Sequence, residues 1–174
     1  GWKISFFEGG IRVPFIVSWP DKISPGLTSN SAVHHFDIFP TIVSATKTTT
    51  SNKKEIDGVN LLPYIKKENS DEPHETLFWR SGNHQSVLHK KWKYIVSKKE
   101  NKSWLFDTSV DPLEKNNLIE SHPKEAKKIE ALLEQFNSEQ KEPLFPSAFE
   151  APIMIDKYDG QEYDEGDEYI YWSN

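Results

Sequence analysis

The feature that most constrains the fold of this sequence is a set of three β-rich runs within residues 76–111. They read TLFWRSG, QSVLHKKWKYIVSK and KSWLFDTSVD, and only a few turn-forming residues separate them. Parallel neighbours would need a crossover connection of about a dozen residues or more between strands, whereas antiparallel hairpins need only short turns. The spacing therefore predicts a small antiparallel sheet.

A helix is predicted after these runs, within HPKEAKKIEALLEQFNSEQ. Its apolar side chains follow the i, i+3, i+4, i+7 spacing of one helix face; they are Ala126, Ile129, Leu132, Leu133 and Phe136. Ser121 is the expected N-cap, and Pro123 fits the first turn. We expect the apolar face of this helix to pack across the sheet.

Other apolar segments precede the sheet. RVPFIVSWP, bounded by Gly-Gly and Pro-Asp, predicts a buried strand with Pro14 near its start. HHFDIFPTIVSAT spaces its apolar residues as a helix does, and Pro40 fits the first turn of that helix. DGVNLLPYI predicts a turn and a short helix, and the composition shift at residues 66–75 is our candidate domain boundary.

The charge distribution argues against one class of partner. The net charge is −6, and residues 150–174 hold eight acidic residues against a single lysine, Lys157. A nucleic-acid binder needs a positive surface, so we expect no nucleic-acid partner. Two interpretations of the acidic segment stay open: a solvated segment pinned by its Tyr and Trp side chains, or a cation site whose spacing is not that of an EF-hand.

Sequence motifs narrow the chemistry further. No run approaches the roughly 18 apolar residues of a membrane helix, so no membrane span is expected. The chain has no cysteine, and its six histidines lack metal-ligand spacing, so no metal site is expected within it. It also lacks a Gly-x-Ser-x-Gly motif and a phosphate-binding glycine loop. By themselves, these residues do not make a complete active site.

The first twelve residues concentrate the candidate functional side chains. Lys3 precedes Glu8-Gly9-Gly10, where glycine permits cramped backbone, and this lysine could direct its ammonium at an anion. An ordinary exposed lysine is the alternative. For Glu8, Gly9, Gly10 and Arg12 we favour a structural role, namely a fixed turn with an ion pair between Arg12 and Glu8.

The order of the motifs is more specific than any one of them. GWKISFFEGGIRVPFIVSWP is followed by HHFDIFPTIV, DGVNLLPYI, LFWR, HKKWKYI and LFDTSVDPLEKNNL. From Gly1 to about Leu118, this series resembles the C-terminal part of a type I sulfatase, a formylglycine-dependent sulfate ester hydrolase of the alkaline phosphatase superfamily. SVDPLEKNNL matches the Asp-Pro-x-Glu-x-x-Asn-Leu turn of that family.

The resemblance implies an α/β, alkaline phosphatase-like fold. Residues 1–70 would supply the last strand and helix of its catalytic domain. Residues 71–174 would form a small C-terminal α+β subdomain, with an antiparallel sheet, a packed helix and an acidic tail. The large domain would continue in a missing N-terminal part of the same protein.

The resemblance also implies a division of catalytic roles. Lys3 would bind the sulfate, because an ammonium stabilises an anion in a partly desolvated cleft. The calcium ion and the formylglycine of the family would be supplied by residues upstream of Gly1, so this chain alone is expected to be inactive. Hydrolysis would begin with attack by a hydrated formylglycine oxygen on sulfur.

The expected substrate is a sulfated carbohydrate or an aryl sulfate. Arg80, Asn83 and His84, in FWRSGNHQ, are our candidates for substrate binding, although ordinary polar residues of a hairpin are the alternative. The resemblance and the composition together suggest a bacterial protein of the periplasm or exterior.

Two other functions remain open at this point. A phosphonate monoester hydrolase or phosphodiesterase of the same superfamily would share the fold and a related nucleophile. A non-catalytic carbohydrate-binding or interaction module would have to cover VPFIVSWP within this chain, which offers few other buried strands.

Overall fold

The β-rich runs form one antiparallel sheet in a computed structural model, which describes residues 1–49, 55–142, 144–145, 148–158, 160–162 and 164–173. The strand order is β1-β2-β3-β4, as the short spacing predicts. The run QSVLHKKWKYIVSK contains two of the strands. The bounds are β1 (Thr76–Ser81), β2 (His84–His89), β3 (Trp92–Ser97) and β4 (Lys102–Asp107).

One face of this sheet is covered by helix α4 (Pro123–Glu139). Ile129 of the helix is fully buried against Val87 and Leu105 of the sheet. The predicted helix, its apolar face and Pro123 in the first turn are therefore confirmed. The predicted cap is wrong: His122 precedes the helix, and the Ser121 hydroxyl donates backwards to the Leu118 carbonyl instead.

The opposite face of the sheet packs against both ends of the chain. A two-stranded sheet of β5 (Glu150–Met154) and β6 (Tyr169–Ser173) lies here. So does the segment that contains helix α1 (Glu8–Ile11). Phe7, just before α1, is buried and meets Trp104 and Phe106 edge-on or tilted. Such aromatic pairs add to the stabilisation from buried apolar area.

The chain divides into two compact units, and one of them is the continuous segment Phe15–Glu75. It contains a 3₁₀ turn at His35–Asp37 and two helices, α2 (Ile38–Thr46) and α3 (Leu62–Ile65). Both helices are confirmed, with Pro40 in the first turn of α2.

A buried carboxylate holds this unit together. Asp37 is fully buried, and it accepts hydrogen bonds from the backbone N–H groups of His34 at 2.7 Å and Val59 at 2.9 Å. The His74 Nε2 atom lies 2.8 Å from its Oδ1. A buried charge needs such partners, so Asp37 ties the start of α2 to two distant loops.

The segment 12–20, for which the sequence predicts a buried strand, differs from that expectation. It forms no strand, and the side chains of Val13, Phe15, Ile16 and Val17 are between 41% and 88% exposed. A buried strand needs partners for its backbone and cover for both faces, and no described strand lies beside this segment. The prediction of a strand is therefore wrong for this segment of the described chain.

The other unit combines the two ends of the chain, Gly1–Pro14 and Thr76–Asn174. Residues 1–14 thus belong with the sheet rather than with residues 15–75. The expected boundary between residues 70 and 71 concerns the domains of a longer enzyme, and it stays a prediction.

Candidate functional site

Lys3 lies on an exposed turn whose backbone is firmly held. The Trp2 indole N–H donates to the Met154 carbonyl at 2.7 Å, and the Ser5 hydroxyl donates to the Trp2 carbonyl at 2.6 Å. The Lys3 side chain is exposed, and its ammonium makes no hydrogen bond or ion pair with any described residue.

Ile4, the next residue, has a φ of 72°. This left-handed conformation is unfavourable for a β-branched side chain and costs about 1–3 kcal/mol. Strain of this kind persists only where the surrounding structure enforces it. The turn that carries Lys3 is thus strained immediately after the lysine.

The Gly9-Gly10 pair permits close contact between α1 and this turn. A Cβ atom on Gly9 would lie 2.2 Å from the Gly1 carbonyl oxygen, and one on Gly10 would lie 2.0 Å from the Ser5 carbonyl oxygen. Both distances are far below a permitted contact, and the clashing atoms are backbone atoms. Only glycine allows the backbone of α1 to lie directly on the backbone that flanks Lys3.

Glu8, the first residue of α1, takes part in a buried ion cluster that the sequence analysis did not foresee. Lys93 of β3 is fully buried, and its Nζ donates to Glu8 Oε1 at 2.7 Å. The same Nζ lies 2.9 Å from Glu114 Oε1, an ion pair without hydrogen-bond alignment. The Glu8 backbone N–H donates to Glu114 Oε2 at 2.6 Å. Arg12 lies 3.5 Å from the other oxygen of Glu8.

This cluster unites three motifs that are far apart in the chain. Glu8 comes from EGGIR, Lys93 from HKKWKYI and Glu114 from DPLEKNNL. The DPLEKNNL turn is itself braced, because Asp111 accepts from the backbone N–H groups of Lys115 and Asn116. Burial raises the pKa of Glu114, although the nearby Lys93 ammonium opposes that change. The sequence did contain a signal for the burial of Lys93, since it lies two residues before the buried Ile95 and so points to the same face of β3.

A cavity of about 240 Å³ lies beside the Lys3 turn. Ile4 and Ser5 of the turn form part of its wall, together with Ser81 and His84 of the β1–β2 hairpin and Trp172 of β6. The structure therefore brings His84, a predicted substrate residue, to the same cavity as the residue after Lys3.

The three predicted substrate residues all lie on or beside that hairpin, and two of them are bonded within the chain. The Arg80 guanidinium donates to Asn137 Oδ1 at 3.4 Å and to the Lys141 carbonyl at 3.3 Å. The Asn83 side-chain amide donates to Glu150 at 2.8 Å.

His84 differs, because its buried Nε2 atom has no hydrogen-bond partner among the described residues. Burial lowers the pKa of His84, although the nearby Glu100 and Glu150 carboxylates oppose that change.

The acidic segment near the end of the sequence forms ion pairs with a lysine of the same segment. The Lys157 ammonium lies 2.6 Å from Asp164 and 2.8 Å from Asp167. Within the described ranges, no group of three or more His, Cys, Asp or Glu residues is placed to hold a metal ion. The described residues therefore do not provide a cage for the calcium ion that the sequence resemblance implies.

No helix within the described ranges combines the length and the apolar character that a transmembrane span requires.

Comparisons with known proteins place these motifs in a family. The family model for the N-sulphoglucosamine sulphohydrolase C-terminal region matches residues 2–142. The steryl-sulfatase of Rattus norvegicus is 30% identical over 122 residues, which cover 70% of this chain and 21% of that protein. The N-acetylgalactosamine-6-O-sulfatase of Bacteroides thetaiotaomicron is 26% identical over 148 residues, covering 77% of this chain and 29% of that protein.

A solved structure shares the fold. It is described as "Metabolism of multiple glycosaminoglycans by bacteroides thetaiotaomicron is orchestrated by a versatile core genetic locus", and it matches with a TM-score of 0.66 at 26% identity. The match covers 78% of this chain and 31% of that one, so the chain spans less than a third of the relatives it matches. The resemblance read from the motifs is confirmed: the chain belongs to the N-sulphoglucosamine sulphohydrolase C-terminal family and corresponds to the C-terminal region of sulfatases.

Proposed function

We propose that this chain is the C-terminal part of an enzyme that hydrolyses sulfate esters, and that Lys3 binds the sulfate group. The observation that carries the proposal is the exposed Lys3 ammonium, which has no described partner and sits on a strained turn fixed from both sides. Family membership supports sulfate ester hydrolysis over the phosphonate and non-catalytic alternatives.

Lys3 contributes charge and position to the reaction. Its ammonium donates hydrogen bonds to a sulfate oxygen and stabilises the negative charge that develops as the ester bond breaks. Because the turn is fixed, the ammonium does not have to reorient during the reaction, whereas water molecules around the same ester would have to.

The upstream part of the protein supplies the remaining groups. The formylglycine nucleophile and the calcium ion lie there in this proposal, since the described residues provide neither. The chain alone is therefore inactive. Residues 1–70 complete the catalytic domain and residues 71–174 form the small subdomain, and the protein works in the periplasm or outside a bacterial cell.

We propose a sulfated carbohydrate as the substrate, with an aryl sulfate as the simpler analogue. The named activity of the Bacteroides thetaiotaomicron relative supports a sulfated sugar. His84 contacts the sugar from the cavity beside Ile4, and it is the best placed of the three hairpin candidates. Arg80 and Asn83 do not line that cavity, and in this proposal they reach sugar hydroxyl groups only after giving up their present partners.

The test uses the enzyme in which this chain is joined to its upstream part. Hydrolysis of 4-nitrophenyl sulfate and of N-acetylgalactosamine 6-sulfate is measured for the parent, for Lys3→Ala and for Lys128→Ala. Lys128 is an exposed lysine on α4 and serves as the matched control. Loss of one such charge contact lowers kcat by about 10²–10³.

The outcomes separate the parts of the proposal. A parent that hydrolyses neither ester refutes the sulfatase assignment. An active parent with an equally active Lys3→Ala variant refutes the role of Lys3. Activity on the aryl sulfate, with none on N-acetylgalactosamine 6-sulfate, counts against the carbohydrate substrate.

A further inference from the structure

The position of Lys3 depends on its backbone alone, because its side chain has no described partner to hold it. That backbone is strained at Ile4, and it packs directly on Gly9 and Gly10 of α1. Whatever fixes α1 therefore also fixes the turn of Lys3.

Helix α1 is too short to hold itself in place. It contains four residues, and isolated helices shorter than about 12 residues are marginal in water. Phe7 anchors its start in the core, and Glu8 supplies a polar anchor, since it binds Lys93 through its side chain and Glu114 through its backbone N–H. Lys93 and the Glu114 side chain are almost completely buried, at 0% and 1% exposure.

A buried lysine between two carboxylates does not by itself stabilise a fold efficiently. Removing three charged groups from water is costly, and apolar residues of similar volume often stabilise such a position better. What the cluster does supply is direction, because two hydrogen bonds involving charged groups orient it: Lys93 Nζ donates to Glu8 Oε1, and the Glu8 backbone N–H donates to Glu114 Oε2.

We propose that Lys93 is a positioning residue for Lys3: it fixes Glu8 and Glu114, they fix α1, and α1 holds the strained turn that presents Lys3 to the sulfate ester. This inference rests on the proposed function. Lys93 itself touches no substrate, since it is wholly buried.

The test is a double-mutant cycle in the enzyme that contains this chain. The variants are Lys93→Met, Lys3→Ala and their combination, assayed with 4-nitrophenyl sulfate. If Lys93 acts through Lys3, Lys93→Met lowers kcat by between about 10-fold and 100-fold in the parent, because small misplacements of a catalytic group have effects of this size. In the Lys3→Ala background the same change has almost no further effect, since coupled residues are not additive.

Further variants guard against simple unfolding. Glu8→Gln keeps the shape of the side chain while removing its charge, and it is expected to repeat the loss of kcat and its dependence on Lys3. Ile129→Ala destabilises the opposite face of the sheet without touching α1, and it should leave the kcat of the folded enzyme unchanged.

The inference is overturned if Lys93→Met and Glu8→Gln reduce kcat by the same factor with and without Lys3, or if neither reduces it. An inactive parent instead refutes the proposed function, and a Lys3→Ala variant as active as the parent refutes the role of Lys3. The three failures are therefore distinguishable.

Discussion

Gly82 offers a sharp test of how the β1–β2 hairpin is joined to the last strand. The residue has a φ of 51°, and a Cβ atom placed on it would lie 1.7 Å from the Ser173 hydroxyl oxygen. That oxygen accepts the Asn83 backbone N–H at 3.1 Å, and Ser173 is only 1% exposed. We expect Gly82→Ala to displace Ser173 and break this hydrogen bond.

The magnitude follows from two contributions. Left-handed backbone costs an alanine about 1 kcal/mol relative to glycine, and the partly buried Asn83 N–H, once it loses its acceptor, costs a further ~1–3 kcal/mol. Gly82→Ala should therefore lower the free energy of unfolding by about 3 kcal/mol. Gly160 is the matched control, since its φ is 88° and no described atom lies within 4 Å of the position that a methyl group would occupy. Gly160→Ala should cost only about 1 kcal/mol.

The measurement is urea unfolding followed by tryptophan fluorescence. Five of the six tryptophans lie in residues 1–14 and 76–174, so the signal reports mainly on this unit. Equal destabilisation by the two substitutions would show that backbone conformation accounts for the whole effect. A stabilising contact between the hairpin and Ser173 of β6 would then be refuted.

Other buried groups give two further tests. Asp37→Asn should destabilise Phe15–Glu75 by about 3 kcal/mol, because it removes the charge that the backbone N–H donors and His74 surround. Thermal unfolding measures this loss. An equal effect of Asp21→Asn, an exposed control, would contradict the prediction. Burial lowers the pKa of His84, so the folded state binds its proton less well than the unfolded state, and stability should fall as the pH drops below about 6.5. In urea midpoints measured from pH 7.5 to pH 5, His84→Gln should reduce this loss, and identical pH slopes for parent and variant would exclude the explanation.

The sheet and helix α4 could be predicted because their signals are local. Each hairpin is specified by alternating residues and a short turn, and α4 by five apolar residues on one face. The buried strand predicted for residues 12–20 does not form in the described chain, for a related reason. Its apolar run is a local signal, but a strand forms only beside a partner, and partner residues are not encoded locally.

The ion cluster was missed because it depends on tertiary contact. The sequence predicts an ion pair between Glu8 and Arg12, and that contact is present at 3.5 Å. Nothing in the spacing shows that Lys93, 85 positions later, approaches Glu8 more closely. The roles of Lys3, Arg80, Asn83 and His84 stay predictions, since they concern a substrate.

The contact between Trp2 and Met154 also governs the order in which the protein can assemble. The two residues are 152 positions apart, and a ribosome adds about 5–20 residues per second, so Trp2 waits roughly 8–30 s for its acceptor. Residues 15–75 are completed within that interval and can fold first. The turn of Lys3 reaches its final form only after β5 has been synthesised, which makes it one of the last parts of the chain to mature.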